Sequence, residues 1–382
     1  MRVRWLVPLL LLFVSLVCGG CDSLNLATGP SPVVDNTKEA LKDISSNPAP
    51  LNGVEFTTLH GWLANTYSHW SYISSQATVH PVPRLWTANR AQSLSEFLEQ
   101  DRQLVEYGAA ALGIEFNPNP VLGDADYWRG LGALRSSLPF FVVYEHINQG
   151  NGSSYVPADG PKDMNLEVNR QTFRKDIDVI FQDIIIPYQS KYVTVNGKAI
   201  VYMWSSVQMT GDLAGLLNEA RKKYPVFFIG SSEGDPERIK MLDGMMEYSL
   251  GGSGNYMRAV ENYNRRSVDL RSTIRRIESE TGKRMLLIPT FQAAYDDSKF
   301  PGRSTPIMYP RSKEELKYHA ELIRSGMGGI YDPIGPFVVY SELFEGAAVI
   351  ESQCLPETMD RPGRFVGCGT GRLDVLKEYF GR

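Results

Sequence analysis

Two carboxylates three residues apart, Glu342 and Glu345, follow a short apolar run, Phe337-Val-Val-Tyr340, and precede Gly346. A pair of carboxyl groups held at one place can divide the work of acid–base chemistry. One, kept protonated, donates to a leaving oxygen; the other, ionised, takes a proton or attacks. Cleavage of a glycosidic bond needs this division. Two glutamates in a solvated loop would look the same in isolation, because Glu is mostly exposed. What favours the chemical reading is their place. Acids just past the C-terminal end of a buried strand stand where an α/β barrel keeps its active site.

Other strand ends carry similar residues. Reading along the chain they are His60 and Trp62, Glu145 with His146, Trp204, Glu233, Glu247, and Tyr295 with Asp296 and Asp297. Brought to one face of a barrel, they form a mouth rich in carboxylates and flat aromatic surfaces, suited to binding a sugar chain. His60, Trp62, Glu145, Trp204, Glu247, Tyr295, Asp296 and Asp297 are the candidate substrate-binding residues. Each has a plainer alternative: Glu247 lies within an expected strand and could be paired inside the fold, and His146 reads as a hydrogen-bonded structural histidine. No HExxH and no pair of CxxC motifs is present, so the sequence offers no metal site. Gly251-Gly-Ser-Gly254 lacks the Lys and Ser/Thr of a phosphate loop, and there is no GxSxG elbow. No cofactor is expected.

The elements that must position these residues alternate. Strands are expected over 54–59, 110–116, 138–144, 199–204, 226–230, 244–250, 285–290 and 337–340. Helices are expected from a capping box at Ser93 and Glu96, then over 124–135, 169–189, 213–223, 256–281, 312–325 and 373–380, with a short one starting at Asp235-Pro236. Gly282 stands where a helix ending at Thr281 needs a left-handed residue. The strands read as near-continuous apolar runs, which implies a parallel sheet covered by helices. Eight such units predict a closed (β/α)₈ barrel. The alternative, a doubly wound open sheet, lacks its Gly-rich dinucleotide fingerprint after the first strand.

Composition agrees with a large folded domain. The chain has 382 residues, 43% hydrophobic, 21% charged and 11% aromatic, which is ample for a core and too apolar for disorder. Arg2 and Arg4, an apolar stretch over 5–17 and then Cys18-Gly-Gly-Cys21 read as a signal segment too short for a membrane span. The expected organisation is a signal peptide over 1–20, a tether over 21–50 rich in Ser, Pro, Asn and Thr, and the barrel over 51–382. Small residues before Cys21 resemble a bacterial lipoprotein cleavage site, which makes Cys21 the lipidated residue and a membrane the anchoring partner, on the extracytoplasmic side; ordinary secretion is the alternative. Removal of Arg2 and Arg4 with no acid takes the net charge from −4 to −6. No basic stripe remains, so nucleic acid is not an expected partner. Cys354 and Cys368 could bridge a short loop in an oxidising compartment; two free thiols are the alternative.

Three stretches, in order, resemble the glycoside hydrolase family 99-like domain, the endo-α-mannosidase group. They are Lys191-Tyr-Val-Thr-Val-Asn-Gly-Lys-Ala-Ile-Val-Tyr-Met-Trp204, Ile288-Pro-Thr-Phe-Gln-Ala-Ala-Tyr-Asp-Asp297 and Glu342-Leu-Phe-Glu-Gly346 followed by Ile350-Glu351. The resemblance implies a (β/α)₈ fold and retaining cleavage of α-mannosides. It implies that Glu342 deprotonates the sugar 2-hydroxyl to give an anhydro-sugar intermediate, that Glu345 is the general acid/base, and that Tyr295, Asp296 and Asp297 line the site. The sequence departs from the family pattern in three places. Leu343-Phe344 replaces Trp-His, Ala347 replaces Thr, and Leu59-His-Gly-Trp62 replaces an aromatic–proline cluster. These departures leave room for a different glycan, or for a glycan-binding or polysaccharide-assembly lipoprotein without catalysis.

Overall fold

The computed structural model describes residues 55–58, 102, 105–116, 137–144, 155–157, 160–231, 234–247, 250, 254–292, 308, 310, 312–325, 337–340 and 371–380. The signal segment, the tether, the helix expected over 124–135, and Cys21, Cys354 and Cys368 lie outside these residues, as does the helix expected from Ser93 except for residues 102, 105 and 106, which are helical.

Eight parallel strand positions follow one another along the chain. They are β1 (Glu55–Thr58), β2 (Ala111–Phe116), β3 (Phe140–Tyr144), β4 (Lys198–Met203), β5 (Val226–Gly230), β6 (Gly244–Met246), β7 (Leu286–Ile288 continued by Thr290–Phe291) and β8 (Phe337–Tyr340). Neighbours in sequence are neighbours in space, from β1 to β6 and on to the first part of β7. The two parts of β7 flank Pro289, which has no N–H to give to a ladder. Before it, Leu286 to Ile288 pair with Gly244 to Met246; after it, Thr290 and Phe291 pair with Val339 and Tyr340 of β8. Strand β8 in turn pairs with β1, Glu55 against Phe337 through Thr58 against Tyr340. The chain of pairings therefore returns to its start, and the expected (β/α)₈ barrel closes across Pro289.

The helices lie between strands. They are α1 (Glu167–Val179), α2 (Leu213–Lys223), α3 (Pro236–Lys240), α4 (Tyr256–Thr281), α5 (Lys313–Arg324) and α6 (Gly371–Phe380). Local chemistry sets their ends. Asp212, Asp235, Asn255 and Ser312 each accept a backbone N–H of the first turn, and Gly282 closes α4 at φ 69° with its N–H on the Glu278 carbonyl. The helix expected over 169–189 differs. It starts at Glu167, and from Ile180 to Ile185 it widens to a π-helix in which Ile186 N–H reaches the Phe181 carbonyl at 2.9 Å. Pro187 follows, and a proline forbids further regular helix.

The core is the strand interior and the layer between strands and helices. Phe140 to Tyr144, Ala199 to Met203 and Val226 to Gly230 are buried along their whole length, as a strand covered on both faces requires. From the helices, Phe173, Ile177, Leu216, Leu217, Val260, Tyr263, Ile274, Leu316 and Ile323 pack on it.

Candidate functional site

Parallel strands bring all their C-terminal ends to one face, the face that carries the chemistry of this architecture. Which residues look into it follows from alternation along each strand. Tyr144 closes β3, and its hydroxyl donates to Asp176 Oδ2 of α1 at 2.7 Å, so Tyr144 faces the helices and Val143 the barrel axis. Register carries that assignment round the sheet. Val143 aligns with Tyr202, Tyr202 with Ile229, and Ile229 with Gly244. One or more steps past the last rungs, Trp204 and Ser231 fall on the axis side and Glu247 on the helix side.

Trp204 is half-buried at the end of β4, with its backbone N–H on the Tyr144 carbonyl at 3.1 Å. It directly follows Met203, the last residue of β4, at the C-terminal face, and packs against the core. The chain turns directly after it, through Ser205 at φ 50° and ψ 41°. The Ser205 N–H donates to Ser231 Oγ at 2.7 Å. The Ser206 hydroxyl donates to the Ser231 carbonyl and accepts the Ser231 N–H, both at 3.1 Å. Arg238 Nη2 donates to the Ser206 carbonyl at 2.8 Å. Ser206 and Ser231 are buried, and together these bonds tie the end of β4 to the end of β5 beyond the last sheet rung, Met203 against Gly230.

Glu247 turns away from the mouth. Strand β6 ends at Met246 rather than at 250, and the Glu247 carboxylate meets α4: Oε2 accepts from the Ser267 hydroxyl at 2.9 Å and Oε1 lies 3.4 Å from Arg266 Nε. Burial raises its pKa, and Arg266 and Ser267 oppose the rise. Its part in the described structure is to lock strand to helix, and its own carbonyl accepts the Thr290 hydroxyl of β7. The next stitch is Gln292, whose Oε1 accepts the Leu250 N–H at 3.0 Å while its carbonyl accepts the Tyr256 hydroxyl at 2.9 Å.

Asp176 and His319 are buried titratable groups in the layer behind the mouth. Asp176 is pushed up to about 7 by burial, with the Tyr144 hydrogen bond pulling the other way. Tyr155 extends the chain, its hydroxyl 2.5 Å from that of Tyr144. His319 of α5 is stacked on Phe291 and edged by Tyr256 and Tyr263. Since Tyr256 gives its proton to Gln292, the 3.2 Å contact with His319 Nδ1 makes that nitrogen the donor. The ring is neutral, its Nε2 has no partner among the described residues, and burial lowers its pKa to about 3.

The remaining expected site residues, His60, Trp62, Glu145, Tyr295, Asp296, Asp297, Glu342 and Glu345, lie outside the described residues. Their strands do not. Glu145 is the next residue after β3, and Glu342 and Glu345 are two and five residues past the end of β8 at Tyr340. Among the described residues no group of three or more His, Cys, Asp or Glu could hold a metal ion, and no helix is long and apolar enough to cross a membrane. The serine tie is not among the residues that the sequence singles out. Its one signal there is a Ser-Ser dipeptide after each of two consecutive strands, Ser205-Ser206 and Ser231-Ser232.

No family model and no curated protein matches the chain. Among solved structures, one described as a "Glycoside hydrolase-like protein" is similar with a TM-score of 0.54 and 15% identity, over 90% of this chain and 99% of its own. A glycoside hydrolase family 5 mannosidase from Rhizomucor miehei gives 0.43 and 11%, over 74% of this chain and 86% of its own. A putative α-L-fucosidase from Bacteroides thetaiotaomicron also gives 0.43 and 11%, over 87% and 97%. The first likeness agrees with the barrel read from the strand pairings.

Proposed function

We propose that this chain is a carbohydrate-active protein, a glycoside hydrolase that cuts a polysaccharide outside the cytoplasm from a lipid anchor on Cys21. The observation that carries the reading is the end of β8 at Tyr340 in a closed parallel barrel. It brings the chain to the C-terminal face two residues before Glu342 in the sequence. The similarity to a glycoside hydrolase-like structure supports the same reading.

The chemistry follows from two carboxyls with opposite duties. Glu342, ionised, takes the proton of the sugar 2-hydroxyl as that oxygen attacks the anomeric carbon. Glu345, protonated, donates to the departing glycosidic oxygen. Water then opens the anhydro-sugar, with Glu345 as base and Glu342 returning the proton, so configuration is retained. The endo-α-mannosidase character rests on the resemblance of residues 191–204, 288–297 and 342–351. The replacement of Trp-His by Leu343-Phe344 makes the choice of glycan a matter for experiment.

The test is depolymerisation of α-mannans, α-glucans and bacterial exopolysaccharides by the full-length protein in detergent, beside Glu342→Gln and Glu345→Gln. Release of reducing ends by the wild type and by neither variant is the expected result. No release, with all three proteins still retained on a glycan, would replace the hydrolase by a glycan-binding protein on the same barrel.

A further inference from the structure

The turn after β4 holds a serine in the left-handed conformation that L-residues avoid, because Cβ there crowds the carbonyl oxygen that follows it. Ser205 is at φ 50° and ψ 41°, immediately after the half-buried Trp204. Such strain persists only where the surroundings over-determine it, and it collects at functional places. Here the surroundings are the Ser205 N–H on Ser231 Oγ, the reciprocal pair between the Ser206 hydroxyl and the Ser231 backbone, and Arg238 on the Ser206 carbonyl. The three serine bonds tie the loop after β4 to the end of β5, and Arg238 ties the same loop to α3. The fit is close: a Cβ on Gly230 would come within 2.8 Å of Ser206 Oγ and 2.4 Å of Leu242 Cδ1. Four hydrogen bonds hold the two residues that follow Trp204, whose own N–H is on the Tyr144 carbonyl at 3.1 Å. One part of its indole packs on the apolar core.

We infer that Ser205, Ser206 and Ser231 are positioning residues that hold the Trp204 indole at the barrel mouth as a rigid stacking platform for a pyranose ring. A flat aromatic surface takes the apolar CH face of a sugar, and it binds better when its orientation is fixed before the ligand arrives. This inference rests on the carbohydrate reading above for its ligand, but the strap itself is independent of it.

The experiment uses full-length protein in detergent, labelled with 5-fluorotryptophan, with the Trp204 line assigned by Trp204→Phe. Ser231→Ala removes the acceptor of the Ser205 N–H, and Ser206→Ala removes the reciprocal pair. Either is expected to broaden or shift the Trp204 line in the free protein while the other tryptophan lines stay in place. Ser272→Ala, on an exposed turn of α4, is the control. Retention on soluble α-mannan and α-glucan is expected to fall about threefold in Ser231→Ala, the weight of one neutral hydrogen bond, and about tenfold or more in Trp204→Ala. An unchanged Trp204 line in both serine variants would overturn the strap. A shifted line with full retention by Trp204→Ala would overturn the platform. Failure of the wild type to bind either glycan would overturn the carbohydrate reading and the platform with it, while the fluorine line would still decide the strap. Should Ser231→Ala fail to fold, Ser206→Ala tests the strap through a different pair of bonds.

Discussion

The Tyr144 hydroxyl donates to Asp176 at 2.7 Å across the boundary between the barrel wall and α1, and behind Tyr144 the Tyr155 hydroxyl completes a buried polar chain. A carboxyl in that place is easier to bury neutral than charged. Its pKa of about 7 against 3.8 unfolded means that the folded state keeps a proton which the unfolded state has lost. Stability from this group is therefore complete below pH 3.8 and is lost as pH rises towards 7, by about 4 kcal/mol over the whole window. Asp176→Asn keeps the partner for Tyr144 and removes the titration. Its urea midpoint should exceed that of the wild type at pH 8 and match it near pH 4.

His319 works in the opposite sense. Its ring is neutral in the fold, with a pKa of about 3 against 6.5 unfolded. Stability from this group is present above pH 6.5 and is lost as pH falls towards 3, by about 5 kcal/mol in full. Between pH 3.8 and 6.5 Asp176 and His319 oppose each other, one proton each, so their contributions to the slope largely cancel. His319→Phe fills the aromatic cage without titrating. Unfolding measured at pH 4, 5, 6 and 7 should show a steeper loss towards acid in Asp176→Asn, a gain towards acid in His319→Phe, and neither slope in the double variant. A wild-type profile changed by neither substitution would sink both assignments.

Gly230 is required by contact, since its backbone is an ordinary strand. A methyl group there would meet Leu242 Cδ1 at 2.4 Å and Ser206 Oγ at 2.8 Å. Gly230→Ala must displace Leu242 or break the serine tie, at a cost of about 1–3 kcal/mol. The thermal midpoint should fall, and the fall should shrink in Gly230→Ala combined with Ser206→Ala, since one of the two obstructing atoms is then gone.

Elements set by local chemistry are legible in the sequence. Helix α2, strand β5, helix α4 with Gly282 and strand β8 occupy the expected spans, because a cap, an apolar period and a closing glycine lie within a few residues of one another. What depends on distant residues is not legible. Glu247 reads as one more strand residue near the mouth, but its direction is set by Arg266 and Ser267, some twenty residues on, and by the single step of alternation that separates the axis side from the helix side. The tie between Ser206 and Ser231 spans 25 residues, and its one local signal, a Ser-Ser dipeptide after each strand, does not say that the two meet. The helix beyond Ile180 reads as regular, because the period of Ile177, Ile180 and Ile184 survives the change from α to π geometry while the hydrogen bonds do not.

The proposed division between Glu342 and Glu345 can be separated by the leaving group. A general acid matters in proportion to how badly the departing oxygen needs a proton, and its removal costs about 10²–10⁴ in rate on a poor leaving group. On a dinitrophenyl glycoside the departing phenolate is stable unprotonated, so Glu345→Gln should release it in the first turnover, and at kcat/KM, at close to the wild-type rate, with steady-state kcat lowered because Glu345 is also the base of the second step, while failing on the polysaccharide. Glu342→Gln should fail on both, because forming the anhydro-sugar needs the 2-hydroxyl proton removed whatever leaves. Values of kcat/KM for Glu345→Gln across a series of phenyl glycosides should rise steeply as the phenol becomes more acidic, and those of the wild type only weakly. Equal losses on both substrates for the two variants would remove the assignment of acid and base, and steep dependence in Glu342→Gln with a flat line in Glu345→Gln would reverse it.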